Sequence, residues 1–148
     1  MPDRETIVDN LINIWQEKET IKILPSEGKS MYPLIKKGDR LNIKFTKPEN
    51  IKRGDIAAFR RSNAIVVHRL IGKKGSTFIE KGDYHIKGTH IKADDIIGKI
   101  EIGNRNINNF MAIIGYVIYS LGIYAKPLLI IPFILNAGTR FYTKLRTA

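Results

Sequence analysis

Ser30 lies in the stretch GKSMYPLIKKGD, and its hydroxyl could act as a nucleophile if a general base lay beside it. A serine hydroxyl is a weak nucleophile at neutral pH, so it needs a general base within hydrogen-bond reach and donors for the oxyanion that forms. The bases on offer are three histidines, His68, His85 and His90. The alternative reading of Ser30 is a turn residue whose hydroxyl points into water.

His68 is the histidine best placed by its neighbours to act as that base. It lies in AIVVHRLI, a run with the β-branched composition of a strand. Because side chains alternate along a strand, Val66, His68 and Leu70 share one face, and this apolar face keeps water from the imidazole. The same pattern also fits a core histidine that is hydrogen-bonded to a backbone carbonyl.

Other chemistries find less support in the sequence. The chain has no cysteine, which excludes disulfides, thiolate catalysis and zinc–thiolate sites. His85 and His90 flank the turn-like segment YHIKGTH, but no third metal ligand accompanies them. We therefore expect no metal site and no cofactor.

The elements that must position these residues change in character along the chain. Residues 3–19 have apolar residues at helical spacing and predict a short amphipathic helix. Short β-branched runs then follow, namely TIKIL, LNIKF, DIAAF, AIVVHRLI, TFIEK and IIGKIEI, separated by turn residues that include three Gly-Asp pairs. They predict a mainly β, compact antiparallel sheet or barrel. We divide the chain into an N-terminal helix (1–20), a catalytic β domain (21–106) and an apolar C-terminal segment (107–148).

The C-terminal segment carries no charge from Ile107 to Ala125 and ends in RFYTKLRTA. A membrane-spanning helix needs about 20 apolar residues, so this run barely reaches the required length. Pro127 and Pro132 would kink any helix that continued beyond Lys126. The segment therefore predicts one marginal span, a re-entrant pair or an interfacial helix, with a buried hairpin of the domain as the alternative. Basic residues lie on both sides, so the positive-inside rule assigns no sidedness.

The net charge of +11 indicates an anionic partner, either a lipid surface or a nucleic acid. A strand face with basic residues interleaved with aromatics, as nucleic-acid binding would require, is not found in the sequence. We therefore predict a lipid membrane as a partner and no nucleic acid. A non-catalytic basic β module that docks on membrane or nucleic acid stays open as an alternative.

The order of the segments adds a family resemblance to this reading. GKSMYPLIKKGD, IKRGDIAAFRR, VVHRLI, FIEKGDYH and DDIIGKI occur in the order and at the spacing of the type I signal peptidases, which this chain resembles from about Ile23 to Ile102. The serine box Ser-Met-x-Pro is matched from Ser30 to Pro33. Most bacterial members have a lysine base where this sequence has VHR, so the resemblance is to the histidine-type branch of the endoplasmic reticulum, archaea and some Gram-positive bacteria.

The resemblance implies roles for individual residues. Ser30 would attack the scissile carbonyl, His68 would take its proton, and Asp83 of the Lys-Gly-Asp box would orient the imidazole. The oxyanion would be bound by the backbone N–H of Ser30; many relatives add a hydroxyl at the position of Gly28, where glycine offers no side-chain donor. Members in the endoplasmic reticulum carry a further aspartate just past Gly-Asp, which this chain lacks. The residues expected to line the substrate pockets are Met31, Leu34 and Val66.

By the same resemblance, the substrate is the leader or signal peptide of a precursor protein, with small residues at the first and third positions before the cut. The extended stretches beside Ser30 and His68 would pair with such a peptide as an added strand. A self-cleaving repressor-type peptidase is the nearest enzymatic alternative. That class uses a lysine base and an N-terminal DNA-binding module, and this chain has histidine at position 68.

Overall fold

The computed structural model describes residues 4–62 and 64–147, so the first three residues of the predicted N-terminal segment and the last residue of the tail lie outside the described residues. The regular elements are α1 (Arg4–Glu17), β1 (Ile21–Pro25), β2 (Arg40–Phe45), β3 (Ile56–Arg61), β4 (Ala64–Lys74), β5 (Thr77–Lys81), β6 (Thr89–Lys92), β7 (Ile96–Ile100), α2 (Arg105–Leu121) and α3 (Ile130–Thr147). Three 3₁₀ segments, Pro48–Asn50, Ala93–Asp95 and Gly122–Leu129, complete the chain.

The seven strands form one antiparallel sheet in the order β1-β2-β7-β3-β4-β5-β6. This confirms the mainly β antiparallel fold with a short N-terminal helix. Strand β3 is buried on both faces, because Ile56 and Ala58 join one apolar cluster while Ala57 and Phe59 join the other. The first cluster also holds residues of α1 and of the segment after Ser30, so the sheet packs directly beneath the predicted nucleophile.

Two of the three Gly-Asp pairs form the same kind of turn. Gly38 and Gly54 have φ angles of +86° and +93°, which favour glycine, and the aspartate that follows each accepts a hydrogen bond from the backbone N–H three residues earlier. The third pair differs: Gly82 does not have a positive φ, and the Asp83 carboxylate serves the buried cluster described below.

The apolar C-terminal segment is helical and packs on the domain. Gly115 of α2 lies against Ile71 of β4. Arg140 of α3 donates to the carbonyl of Leu34 and to both oxygens of the Asp39 carboxylate. Within the described residues, no helix combines the length and the apolar character needed to cross a bilayer.

A buried polar cluster joins the sheet to both C-terminal helices. The Arg69 guanidinium donates two hydrogen bonds of 2.9 Å to the Asp83 carboxylate and one of 2.9 Å to Asn108 of α2. Asn136 of α3 donates to the same carboxylate at 2.8 Å. Burial opposes ionisation of Asp83, but the charge and hydrogen bonds of Arg69 outweigh it and lower the pKa of this carboxyl. Removing one partner would strand a buried charge.

Gly98 lies in β7, which pairs with β2 on one side and β3 on the other, and the backbone of β2 is too close to leave room for a side chain. A Cβ would overlap the carbonyl oxygen of Lys44 and lie 3.0 Å from Phe45 Cα. We expect Gly98→Ala to lower the free energy of unfolding by about 2 kcal/mol or more, since the backbone of β2 must shift. Gly138→Ala is the matched control, because no atom lies within 4 Å of its added Cβ. In a helix interior it should stabilise by about 0.5–1 kcal/mol. Urea denaturation measures both, and equal effects would contradict the packing described.

Lys81 is almost fully buried beside the polar cluster and donates to the carbonyl of Gly82 at 3.0 Å. Burial is the main cause that lowers the pKa of its ammonium group to about 8 from 10.5, with Asp83 opposing and Arg69 adding to the shift. Between pH 8 and 10.5 the unfolded chain therefore binds more protons than the folded chain, and stability rises with pH.

We expect Lys81→Met to raise the free energy of unfolding at pH 7 by on the order of 1–3 kcal/mol, because it removes a buried charge. This gain should shrink as pH rises from about 8 to 10.5. Denaturant titrations at several pH values measure it, with the exposed Lys74→Met as control. Curves for wild type and Lys81→Met that stay parallel across this window would contradict the expectation.

Candidate active site

The Ser30 segment runs between β1 and β2 and is held at both ends by backbone hydrogen bonds. Ser26 and Asp39 close its base, with Ser26 N–H donating to the Asp39 carbonyl at 2.8 Å and Gly38 N–H donating to the Ser26 carbonyl at 2.7 Å. The apolar residues that follow the serine, Met31 and Leu34, are buried in the core beneath the segment. The serine is therefore presented by a rigid loop whose apolar side is anchored in the core.

Ser30 is in close contact with the chain after β5. Its carbonyl oxygen accepts a hydrogen bond of 2.9 Å from the N–H of Tyr84. A Cβ on Gly82 would lie 2.7 Å from the Ser30 carbonyl oxygen and 2.9 Å from Ser30 Cβ, so only glycine fits there. The glycine of the Lys-Gly-Asp box thus allows the serine backbone to approach the sheet.

His68 is buried in β4 with its side chain directed toward β5. Its Nδ1 contacts Glu80 Oε2, while the other carboxylate oxygen, Oε1, accepts from Arg61 at 2.6 Å and from the hydroxyl of Thr89. Only 2% of the Glu80 side chain is exposed. Burial opposes ionisation of Glu80, but the hydrogen bonds from His68, Thr89 and Arg61 outweigh it and lower the pKa of this carboxyl to about 2.

His85 lies between the serine loop and His68. Its ring is edge-on to that of His68 with centroids 5.9 Å apart. Its Nδ1 lies 3.1 Å from the point that a Cβ on Gly82 would occupy, next to Ser30 Cβ. Partial burial is the largest cause that lowers the pKa of His85, and the nearby His68 and Lys81 lower it further. The ring is therefore uncharged near neutral pH. The His85 imidazole thus stands beside the serine loop, and the ring of His68 lies next to that of His85.

The structure brings most of the predicted site residues to one region. Ser30, Gly28, Met31 and Val66 line the same groove, whereas Leu34 is buried in the core. A Cβ on Gly28 would lie 3.9 Å from Ser30 Oγ and 4.0 Å from Ser30 N, so this position does border the predicted oxyanion donor. In the described part of the chain, no hydrogen bond joins Ser30 Oγ to a histidine; such contacts are often long in a free enzyme.

The predicted third residue, Asp83, makes its contacts elsewhere. Both of its carboxylate oxygens are engaged by Arg69, and one also accepts from Asn136. Because Arg69 follows His68 in β4, the two side chains point to opposite faces of the sheet. A catalytic role for Asp83 remains a prediction, and the carboxylate in contact with His68 is that of Glu80.

Sequence reasoning missed two residues of this site, Gly82 and Glu80, and it considered His85 without placing it beside His68. Glu80 stands two residues before the Lys-Gly-Asp box, and its polar side chain in the middle of TFIEK was a signal that this strand face carries a charge. Its partner was hidden, because a register shift between Leu70 and Gly72 decides which β5 residue meets His68. The turn-like surroundings of His85 predict an exposed side chain, and the structure confirms this, although the ring also contacts that of His68.

The groove that Ser30 helps to line is mainly apolar. Its walls come from β1, from the serine loop and from the first half of β4, with Leu24, Ile43 and Val67 among the lining residues. Among the described strands, residues 64–68 of β4 pair with β3 alone, because pairing with β5 begins at Arg69. The groove therefore has a strand edge with free backbone hydrogen-bonding groups beside the serine.

The residues of this site fall within a region that matches a known protein family. Residues 3–101 match the model of the family described as Peptidase S24-like, which is about two thirds of the chain and includes Ser30, His68 and Glu80. A search of curated proteins gives no match. The family match supports the serine-peptidase part of the expected resemblance and leaves the signal-peptidase branch as a finer question. The chain belongs to the Peptidase S24-like family and is thus a serine peptidase-like hydrolase.

Proposed function

We propose that this protein is a serine endopeptidase that removes leader or signal peptides, with Ser30 as nucleophile and His68 as general base. The observation that carries the proposal is the groove lined by Ser30, whose loop is fixed against Gly82 and lies beside His85, the neighbour of His68. An apolar groove, a free strand edge and a nucleophile at its end are the parts that peptide hydrolysis requires.

The proposed chemistry uses the Ser30 hydroxyl in the groove and the His68 imidazole. Ser30 Oγ attacks the scissile carbonyl, and its proton passes to Nε2 of His68. The Ser30 N–H stabilises the oxyanion, and His68 then protonates the leaving amine, so that an acyl-enzyme and a shortened peptide result. Water, activated by the same imidazole, releases the acyl group. No metal or cofactor takes part in these steps.

The shape of the groove supports an extended peptide with small apolar residues before the cut. Pairing with residues 64–67 of β4 would place alternate side chains of the peptide toward Met31 and Val66. Large side chains would meet the wall that these two residues form. Small residues at the first and third positions fit this arrangement, which is the pattern expected for leader peptides.

Ser30→Ala and His68→Ala should each abolish cleavage of a leader-bearing precursor, by about 10³-fold or more, because each removes a group that takes part in bond breaking. Ser62→Ala and His90→Ala are the matched controls, and both should retain activity. Mass spectrometry of the products over time measures the rate. Cleavage that survives in Ser30→Ala would end the assignment of the nucleophile.

A self-cleaving regulator is the second candidate function, and the family match is the observation that favours it. The two functions differ in what is cut. If the chain cleaves itself, its own mass falls on incubation without substrate, and Ser30→Ala prevents the fall. A leader peptidase keeps its intact mass while a precursor in trans is cut. A chain that does neither, and that no serine-directed acylating reagent labels, would be a non-catalytic basic module.

We further propose that the protein docks on anionic lipid through the outer faces of α2 and α3. Helix α2 buries one apolar face on the sheet, yet its opposite face is also apolar and exposed. A helix that is apolar all round normally has both faces covered. On α3, Ile130, Ile134 and Phe141 are likewise more than half exposed. After Asn106 the chain has four basic and no acidic residues, which suits an anionic surface and disfavours a second copy of itself.

The protein should co-sediment with vesicles that contain phosphatidylglycerol, and less with phosphatidylcholine alone or at high salt. The double variant Ile130→Gln with Ile134→Gln should partition at least about tenfold more weakly, since it removes apolar area from the bilayer surface. Ile21→Gln with Ile23→Gln, on the exposed strand β1, is the control and should bind like wild type. Absence of vesicle binding, or concentration-dependent self-association lost in the double variant instead, would overturn the lipid proposal.

A further inference from the structure

We propose that Glu80 is the residue that positions the His68 imidazole for catalysis, in the role that the Lys-Gly-Asp box predicts for Asp83. The proposal rests on the proposed function, because it concerns the base that activates Ser30. Glu80 does not touch the substrate in this scheme and acts through the histidine. It is therefore a positioning residue.

The contact between the two side chains is direct and is fixed by the strands. Leu70 pairs with Glu80 across β4 and β5, so Glu80 lies on the same face as His68 and Leu70. Glu80 Oε2 meets His68 Nδ1, and Glu80 Oε1 is held by Arg61 and Thr89. One carboxylate oxygen is thus anchored, and the other is free to serve the imidazole.

The charge of Glu80 decides which nitrogen of His68 carries the proton. Its carboxyl has a pKa of about 2, so at neutral pH it is ionised and can only accept hydrogen bonds. Nδ1 of His68 must then carry a proton toward Glu80, and in the neutral imidazole the lone pair is on Nε2. That is the tautomer which a base for the Ser30 hydroxyl requires.

The carboxylate also opposes the cations around the site. Arg61 donates to Glu80, and the Lys81 ammonium lies near His85. When His68 takes the proton of Ser30, an imidazolium forms in a buried place, where an unpaired charge is costly. Glu80 is the anion within contact distance of that charge. Its negative charge therefore favours the transition state.

Asp83 is less suited to this role because its hydrogen-bonding capacity is used. Arg69 donates to both oxygens of Asp83 from the opposite face of the sheet, and Asn136 donates a further hydrogen bond to one of them. To reach His68, Asp83 would have to leave a buried ion pair, which is costly. We therefore assign Asp83 to the junction with α3.

The first test is independent of any peptide substrate. The rate at which a fluorophosphonate probe acylates Ser30 should fall at least about tenfold in Glu80→Gln, because the amide can no longer fix the tautomer. Glu80→Asp, which keeps the charge, should recover most of the rate. Asp83→Asn should label like wild type per folded molecule. Full labelling of Glu80→Gln, or loss of labelling in folded Asp83→Asn, would overturn the proposal.

A second measurement tests the proposal even if Glu80→Gln is less stable than wild type. In protein carrying ¹⁵N-histidine, His68 should show a protonated Nδ1 with a strongly downfield proton, and this signal should move upfield in Glu80→Gln and persist in Asp83→Asn. A merely structural Glu80 would leave the tautomer unchanged, which would overturn the proposal. If wild type is not labelled while the His68 signal behaves as described, the proposed peptidase function fails and the pairing of His68 with Glu80 stands.

Discussion

The alternation of side chains along β4 is the constraint on which the rest of this structure depends. His68 and Arg69 are neighbours in the chain, so the strand sends them to opposite faces, and each meets a carboxylate carried by the chain at or just after β5. On one face, His68 contacts Glu80 beside the serine loop. On the other, Arg69 and Asp83 join the sheet to the C-terminal helices. One hairpin thus supplies both the chemistry and the support of the site.

The Ser30 loop is supported from three directions. The apolar residues after Ser30 are anchored in the core, the backbone of Ser30 rests against Gly82, and Arg140 holds Asp39 at the far end of the serine loop. A catalytic hydroxyl must be held within a fraction of an ångström of its working position. Core, sheet and C-terminal helix each contribute to that placement.

The sequence predicted the strands and the face of His68 correctly, since both follow from local period and composition. It also predicted the helical C-terminal tail, but not that Asn136 would reach Asp83 after β5, nor that Arg140 would reach Asp39 at the end of the serine loop. Those contacts join residues more than 50 positions apart, and no local pattern encodes them. The contact between Glu80 and His68 was not predicted for a related reason. A bulge in β4 sets the register that brings the two residues together.

The contacts of α3 have a consequence for the order in which the Ser30 loop gains its supports during synthesis. The ribosome completes every described strand before it makes Asn136 and Arg140. Until these two residues emerge, Asp83 and Asp39 lack their ties to α3, and the Ser30 loop is missing one of its three supports. The loop is therefore fully braced only after Arg140 has been added to the growing chain.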